Sequence, residues 1–433
     1  MAKIQKGEVR NPYGRKGKPR ADGERKSDGY RNLLSGYGTN RDPSEHTRPQ
    51  FDTALTREYV EAVYRADGIG RRIVDLPAEE MTRQWVQIHG DDGDARLDDL
   101  ANLNAKQQFN RALRWAGLYG GSIIVMLADD GSPDLSQPLN ERRLRSINDL
   151  LVYDRHQVNW TKQAISQDPT SDFFGKPEQF FVSPINGTPF TVHRSRCIIL
   201  DGEDIPDRLR SRNDGWGDSR LQAVHRALGR YAEGMGGTSA IIRDFILPVL
   251  SMKNLSDLIA TGQEDVVKKR LEILGVSRSI LNVLLIDSDD ENYEKKASSV
   301  AGIDNLLGEL KHNIAACVGM PQTLLFGRSP AGQNATGDAD FRAWYDTVKG
   351  EQEDTLIPAL HHLVRLLDIA AGTPEVEGRA VMCHPLWQPS QSEQVSTHKT
   401  GAEVVALLMD FGIIGPEAAE RYISGLGIDT DEG

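Results

Sequence analysis

The segment Phe326–Phe341, FGRSPAGQNATGDADF, separates an apolar run from a long helical pattern and contains almost no bulky side chains. Its first two glycines have the GxxxxG spacing of phosphate-cradling loops, but that motif requires Lys and then Ser or Thr next. Gln333 and Asn334 occupy those positions. The segment therefore predicts a mobile loop of small polar residues, with Asp338 and Asp340 placed to cap and complement the following helix.

The composition indicates a folded chain in a reducing compartment. Of 433 residues, 39% are hydrophobic and 26% are charged, as in soluble folded proteins. The sequence has no apolar stretch of the roughly 18 residues that would predict a membrane span, so we expect no membrane partner. Cys197, Cys317 and Cys383 are far apart and form no CxxC pair, which argues against a structural zinc site or a disulfide framework.

The charge is unevenly distributed along the chain. The net charge is −12, yet residues 1–26 carry nine Lys and Arg against three acidic residues, a net of +6 that leaves −18 for the remainder. A flexible basic arm over residues 1–50 suits contact with nucleic acid, whereas an acidic body disfavours tight and extensive phosphate binding. We therefore expect that this protein does not bind DNA tightly, even if DNA contacts it.

Apolar periodicity predicts a mixed α/β, predominantly helical fold. Residues 51–215 mix helical patterns with strand-like runs and form one α/β unit. Helices predicted from Ser219 and from about Gly302 bracket short strands predicted at 246–252 and 280–286. These two strands are edge-like and apolar, and strands of this kind seldom remain unpaired.

Several predicted helices contain breaking residues. The helix from Ile69 is expected to end near Pro77, because proline has no backbone N–H and clashes with the preceding turn. The long helical pattern after residue 341 is expected to bend at Gly350 and Pro358. Two further helices around a Gly-Ile-Ile-Gly-Pro turn close the chain.

Two His-x-Ser/Thr pairs suggest an enzymatic function as an alternative interpretation. They are His193-Arg-Ser195 and His398-Lys-Thr400, the pattern of two-histidine phosphoesterases acting on cyclic nucleotides, in which two imidazoles serve as general acid and base around one phosphate. The pattern is weak, because ten histidines in a chain with many Ser and Thr produce such pairs by chance. His398 also falls on a predicted helix, whereas the active arrangement requires both pairs on paired strands.

Two acidic clusters are candidates for a metal ion. They are Asp91, Asp92 and Asp94, and Asp287, Asp289, Asp290 and Glu291. Neither has the fixed ligand spacing of a metal loop or accompanying histidines, so both are interpreted as solvated turns. The sequence predicts no catalytic residue, no metal and no cofactor.

The run VGMPQTLLFGRSPAGQNATGDADFRAWYDTVKGEQEDTLIPALHHLVRLL, residues 318–367, resembles tailed-bacteriophage portal proteins. Three further segments support the resemblance: ADGIGRRIVDLPAEEMTRQW, HRSRCIILDG and WGDSRLQAVHRAL. Together they extend it over about residues 51–425. This loop motif is far more specific than any catalytic pattern in the chain.

The resemblance implies a portal fold that assembles as a ring. Its parts map onto the chain as a flexible basic N-terminal arm (1–50), an α/β wing (51–215), a first stem helix (216–244), a clip (245–300), a second stem helix (301–320), a tunnel loop (321–341), a long bent wing helix (342–385) and a short helical crown (386–433).

The resemblance also implies the function. A portal is a non-enzymatic dodecamer at the unique vertex of the capsid, through which double-stranded DNA passes non-specifically during packaging and ejection. The implied partners are the large terminase, the head–tail adaptor, the major capsid protein and the scaffolding protein. The implied location is the virion, after assembly in the host cytoplasm. A nucleic-acid-binding module that uses the basic arm is a third alternative.

The candidate site residues follow from this mapping. Small polar groups in the loop make weak contacts that do not depend on the DNA sequence. Twelve copies of a loop that contained lysine would instead bind the duplex tightly and prevent its movement. The candidate channel residues of the loop are Arg328, Ser329, Gly332, Gln333, Asn334, Thr336, Gly337 and Asp338. The stem candidates are Glu309, Lys311 and His312, and the clip and motor-docking candidates are Asp287, Asp289, Asp290 and Glu291.

Overall fold

The protein has a mixed α/β fold in which helices predominate. The computed structural model describes residues 54–161, 164–171, 173–243, 246–252, 291–297, 302–327, 337–373, 376–387 and 391–413, and singly Asp265, Lys269, Glu272, Gly415 and Ala419. The predicted basic arm, residues 1–50, lies outside these ranges. Within them, no helix is long and apolar enough to cross a membrane.

Two helices open the described chain, α1 (Arg57–Ala66) and α2 (Gly68–Arg83). The prediction that the second helix ends near Pro77 is wrong, because α2 continues through this proline for another turn and a half. Buried apolar residues on both sides of the proline anchor the helix: Ile73, Val74, Leu76, Ala78 and Met81. Their burial offsets the hydrogen bond that proline removes.

A strand far along the chain pairs with the segment after α2. Strand β1 (Val86–His89) forms an antiparallel pair with the last strand, β10 (Ala380–Cys383). The sequence prediction of a helix over 342–385 is therefore wrong at its end. The turn before β10 is fixed by the Arg379 guanidinium, which donates to both carboxylate oxygens of Asp368 at 2.9 and 2.7 Å. A four-residue strand with one buried side chain gives no usable periodicity.

The α/β unit of residues 54–215, called the wing below, has a three-stranded antiparallel sheet at its centre. Its middle strand, β2 (Gly121–Asp129), pairs with β3 (Ser146–Asp154) and with β7 (Cys197–Asp201). Two helices precede the sheet, α3 (Gly93–Asn102) and α4 (Ala105–Tyr119). The chain turns from α4 into β2 at Gly120, whose φ of 92° is strained for any residue with a Cβ.

Strand β2 is buried on both faces, which explains its unbroken apolar run. Ile124 and Met126 point into a large core shared with the helices, while Ile123 and Val125 point into a second, smaller core. The second core is covered by a small antiparallel sheet of β4 (Val158–Asn159), β5 (Gln179–Val182) and β6 (Phe190–His193). The short helix α5 (Asp207–Arg212) follows β7.

Asp130 and Arg196 form an ion pair with no solvent exposure where β2 ends and β7 begins. Arg196 Nη2 lies 2.6 Å from Asp130 Oδ2, and its Nε donates to the carbonyl of Gln137. Asp130 also accepts from the backbone N–H groups of Ser132 and Asn140. Burial acts to raise the pKa of Asp130, but these N–H groups and the guanidinium together hold it below its ordinary value. The pair closes the loop over residues 130–140.

Two long helices pack against each other and carry a two-stranded sheet. They are α6 (Leu221–Arg243) and α7 (Ile303–Val318), and α7 is followed by the short helix α8 (Gln322–Phe326). Strand β8 (Ile246–Met252) pairs antiparallel with β9 (Glu291–Ala297) within the same chain. The strand predicted at 280–286 lies outside the described residues, and the observed partner strand begins at Glu291, the last residue of the acidic cluster.

The contact between α6 and α7 is close because α6 has no side chain at Gly234. A Cβ built there would lie 2.9 Å from Leu310 Cδ1 and 3.6 Å from Leu307 Cδ2. Glycine inside a helix costs about 1 kcal/mol relative to alanine. The leucine packing that Gly234 permits provides the physical reason for its position.

The long helical pattern is observed as α9 (Asp338–Glu351), a π-helical turn over Gln352–Leu356, and α10 (Ile357–Ala370). Helix α9 continues through Gly350, and the irregular turn comes directly before the helix that contains Pro358. The buried Gln352 amide donates to the carbonyl of Met81 at 2.8 Å, which ties this turn to α2. A final helix, α11, spans Gln391–Asp410.

Removing one partner of the buried pair is expected to destabilise the wing strongly. Asp130→Ala leaves the Arg196 charge buried without its carboxylate, so we expect a loss of about 3–5 kcal/mol in the free energy of unfolding. Chemical denaturation of the purified chain measures this loss. The matched control is Arg145→Ala in the neighbouring exposed pair with Asp129, whose loss should stay within about 1 kcal/mol. Equal losses in the two variants would contradict the assignment.

The close contact of α6 and α7 predicts a position-specific effect of valine. Gly234→Val overpacks the contact with Leu310, so we expect a loss of about 1–3 kcal/mol. Gly237→Val on the same helix is the control, because a Cβ there has no atom within 4 Å. It should leave the stability unchanged or slightly higher, since valine is the better helix former. Thermal unfolding followed by circular dichroism compares the two variants, and indistinguishable midpoints would refute the packing argument.

Candidate functional site

The helix pair projects from the core. Leu221 and Val224, in the first turns of α6, are completely buried, as is Ile314 near the end of α7. Towards the strands β8 and β9 both helices become exposed: Met235 is 41% and Leu306 is 61% accessible. One end of the pair is therefore fixed in the wing, and the other end carries the two-stranded sheet.

Both ends of the segment 328–336 lie beside α8, although the segment itself is outside the described residues. Gly327 ends α8 with a φ of 70°, and Gly337 begins α9 with a φ of 74°. A Cβ on Gly337 would lie 3.7 Å from Thr323 Cγ2 in α8. Because both glycines have left-handed backbone conformations, residues with a Cβ would be strained at both ends.

Helix α8 docks on the helix pair through an aromatic residue. The Phe326 ring lies 6.2 Å from the Tyr231 ring of α6, and Lys311 Nζ of α7 lies 5.8 Å from the centre of the same ring. The range 321–341, predicted as a loop, therefore contains α8 and the first turn of α9. The segment 328–336 begins and ends next to the projecting helices.

Most predicted channel residues of the loop fall outside the described residues. These are Arg328, Ser329, Gly332, Gln333, Asn334 and Thr336. Of the other two, Gly337 is the N-cap of α9 and Asp338 is its first residue. The N-cap position of α9 is held by Gly337 rather than by Asp338, which was predicted to cap this helix. Carboxylates in the first turn still complement the helix dipole.

The three stem candidates lie on two faces of α7. Glu309 and His312 are three residues apart and both exposed, so they share the outer face. Lys311 is half-buried over Phe326 and helps to hold α8. Of the clip candidates, Asp287, Asp289 and Asp290 lie outside the described residues, whereas Glu291 is the first residue of β9.

Arg220 joins the base of the helix pair to the long wing helix, a role that sequence reasoning missed. Its guanidinium pairs with Glu203 at 3.1 Å and with Glu351, the last residue of α9, at 2.6 Å. The same side chain packs against Gly117 of α4. The three partners are far apart in the sequence, so no local pattern indicates them.

The His193-x-Ser195 pair has a local structural role. His193 Nδ1 accepts from the Ser195 backbone N–H at 3.2 Å and lies 2.9 Å from Ser195 Oγ, while Oγ accepts from the Leu139 backbone N–H at 2.8 Å. Burial lowers the pKa of His193 and so favours the neutral ring that caps this turn. His398 lies on α11, so the two pairs are on a strand and a helix rather than on paired strands.

The first acidic cluster flanks the start of α3. Asp92 precedes this helix with a left-handed φ of 58°, and it makes no side-chain cap. Among the described residues, no group of His, Cys, Asp and Glu side chains is arranged to hold a metal ion.

Comparison with known sequences identifies a family over most of the chain. The sequence model described as phage portal protein matches residues 58–407. A protein of Caulobacter sp. (strain RHG1) named anti-CBASS protein Acb1 is 29% identical over 87% of this chain and 62% of its own length. An uncharacterized protein of Haemophilus influenzae is 28% identical over 89% of this chain and 87% of its own length. Another anti-CBASS protein Acb1, from Sphingomonas paeninsulae, is 26% identical over 92% and 65%. This chain thus spans less than two thirds of the length of both Acb1 relatives.

Comparison with solved structures identifies the fold. A chain from the neck of an empty gene transfer agent particle, with C6 symmetry, has a TM-score of 0.55 at 13% identity over 88% of this chain and 96% of that chain. A chain from the neck of the native particle, with C12 symmetry, has a TM-score of 0.52 at 15% identity over 86% and 94%. The resemblance to portal proteins is thereby confirmed, and the chain belongs to the phage portal protein family.

Proposed function

We propose that this chain is one subunit of a ring-shaped portal, the channel through which double-stranded DNA enters and leaves a capsid at its unique vertex. The observation that carries the proposal is the docking of α8, which directly precedes residues 328–336, on the projecting helices through Phe326, Tyr231 and Lys311. In a ring of such subunits, the helix pair forms the stem and each copy of the segment reaches the axis as a tunnel loop.

The outer surfaces of the helix pair support assembly into a ring. Gly229 and Gly236 on α6 and Gly308 on α7 have no atom within 4 Å of a built Cβ. Exposed helix positions without side chains allow another helix to approach closely, and we assign them to contacts with neighbouring copies. The similar chains come from particle necks with C6 and C12 symmetry, which suggests a ring homo-oligomer, and we propose a dodecamer.

The composition of the loop suits passage of DNA rather than binding. Arg328 is the single cation among residues 328–336, and the rest of the segment is small and uncharged. Because each phosphate contact by a cation adds salt-dependent affinity, a lysine-rich lip repeated around the ring would retain the duplex. The exposed carboxylate of Glu309 on α7 adds repulsion that keeps the duplex centred.

The projection of the helix pair from the wing suggests roles for the other parts of the chain. The sheet of β8 and β9 at the far end of the stem is the proposed clip, where a large terminase docks during packaging and a head–tail adaptor afterwards. The wing and the helical crown are the proposed contacts with the major capsid protein and the scaffolding protein. The proposed location is the portal vertex of a virion, after assembly in the host cytoplasm.

The proposed role is non-enzymatic. Two observations favour this role over a two-histidine phosphoesterase: Ser195 and His193 cap a turn, and His398 is on a helix.

The name anti-CBASS protein Acb1 is not transferred to this chain, because more than a third of each relative with that name has no counterpart here. Accordingly, the double variant His193→Ala/His398→Ala should assemble as the wild type does, and the wild type should release no product from cyclic dinucleotides. Turnover that the double variant loses would support the phosphoesterase instead.

A single larger side chain on the stem tests the ring. Gly236→Leu fills the space that a neighbouring helix requires but touches nothing within the subunit, so we expect folded chains that no longer close a ring. Native mass spectrometry of the purified full chain measures the subunit count, and circular dichroism checks the fold.

The control replaces residues 329–335 with glycines. This variant should retain the wild-type subunit count, because the loop is not part of the proposed subunit contacts. Rings of unchanged mass from Gly236→Leu would contradict the assignment of this face of α6 to an interface.

A further inference from the structure

A cleft of about 880 Å³ in the wing has no role in the proposed channel. One wall is formed by strands β4, β5 and β7, and the other by α5 and the turn that leads to Trp216. Trp160, Phe180 and Trp216 give the cleft an aromatic lining, with the Trp160 ring 5.4 Å from Trp216 and 5.8 Å from Phe180. The volume is within the range of pockets that enclose small ligands.

Two arginines line the cleft without a carboxylate partner. The Arg155 guanidinium donates to Asn213 Oδ1 at 2.7 Å and to the carbonyl of Gly217. The Arg194 guanidinium donates to the carbonyl of Pro177 and lies 5.9 Å from the centre of the Phe180 ring. Within the described part of the chain, no carboxylate oxygen lies within 4 Å of either group. Burial lowers the pKa of Arg155 and Arg194 below the ordinary value, although nearby carboxylates act in the opposite direction, Asp214 and Asp218 on Arg155 and Asp201 on Arg194.

A third arginine in the same cleft provides the contrast. Arg210 pairs with Asp201 at 3.0 Å and with Asp204 at 2.9 Å, so its charge is neutralised within the protein. A half-buried cation without a hydrogen-bonded carboxylate has lost part of its solvation, and an anion that hydrogen-bonds to it recovers much of that loss. Arg155 and Arg194 therefore favour an anionic group from outside the chain.

The entrance limits how much negative charge can enter. Asp207 and Asp214 line the cleft and are exposed, so a polyphosphate or a nucleic-acid strand would be repelled there. A ligand with one phosphate group avoids most of this repulsion. A flat ring on the same ligand would pack against the indole of Trp160, which is half-buried, whereas Phe180 and Trp216 are buried beneath it.

We propose that this cleft binds a nucleoside monophosphate, with its phosphate facing Arg155 and Arg194 and its base against Trp160. The proposal does not depend on the portal function, because every residue that carries it lies in the wing. It concerns binding alone. Neither His193 nor Ser195 lines the cleft, so the proposal does not involve the His-x-Ser pair.

Isothermal titration calorimetry of the full chain with adenosine 5′-monophosphate tests the proposal. We expect saturable binding of one ligand per chain with a dissociation constant below about 1 mM. Adenosine and inorganic phosphate alone should each bind at least about tenfold more weakly, because each lacks half of the contacts. Adenosine triphosphate should also bind more weakly than the monophosphate. The double variant Asp207→Asn/Asp214→Asn should reduce this difference in affinity.

The arginine variants separate the cleft from other sites. Arg194→Gln should weaken binding of the monophosphate by about tenfold or more, as expected for the loss of a charged hydrogen bond. Arg208→Gln, an exposed arginine on α5 that does not line the cleft, is the matched control and should bind as the wild type does. No saturable binding by the wild type, or equal binding by a folded Arg194→Gln, would overturn the proposal.

Discussion

The close packing of α6 against α7 is the constraint on which the rest of the candidate site depends. Gly234 allows Leu310 to approach the α6 backbone, and this approach places the two helices side by side. Tyr231 on one helix and Lys311 on the other can then contact the same ring of Phe326. A larger residue at Gly234 would push α6 and α7 apart. Tyr231 and Lys311 could then no longer both contact Phe326, and α8 would lose this support.

The wing provides a rigid base for this arrangement. Strand β2 is buried on both faces, and the buried Asp130–Arg196 pair fixes the connection from its end. Arg220 then links the base of α6 to α9 through Glu351. Helix α9 begins at Asp338, directly after its N-cap Gly337, and ends at Glu351, so one helix runs from the end of segment 328–336 to the ion pair with Arg220.

The sequence predicted the elements whose signals are local. The periodicity of α6, α7 and the long helix is continuous over many residues, and the small polar segment between Phe326 and Phe341 is distinctive by itself. The resemblance to portal proteins rested on that segment and was confirmed over residues 58–407.

The failures of prediction have a common physical origin in long-range contacts. Helix α2 continues through Pro77 because of apolar burial, and β10 exists because β1 pairs with it. Arg220 has partners more than a hundred residues away, and Arg196 binds a carboxylate in another strand connection. None of these contacts leaves a periodic pattern in the sequence. Similarly, the cleft that contains Arg155 and Arg194 is formed by several segments, and none of them has a sequence pattern that predicts a binding site.

The central claim is that residues 328–336 form the inner lip of a ring of identical chains. The most direct measurement is an electron microscopy reconstruction of the purified full chain, with the position of this segment located relative to the symmetry axis. The account predicts a closed ring in which the segment lies at the narrowest point of the channel and α6 and α7 surround the axis. A monomeric particle, or a ring in which the segment lies on the outer rim, would contradict it.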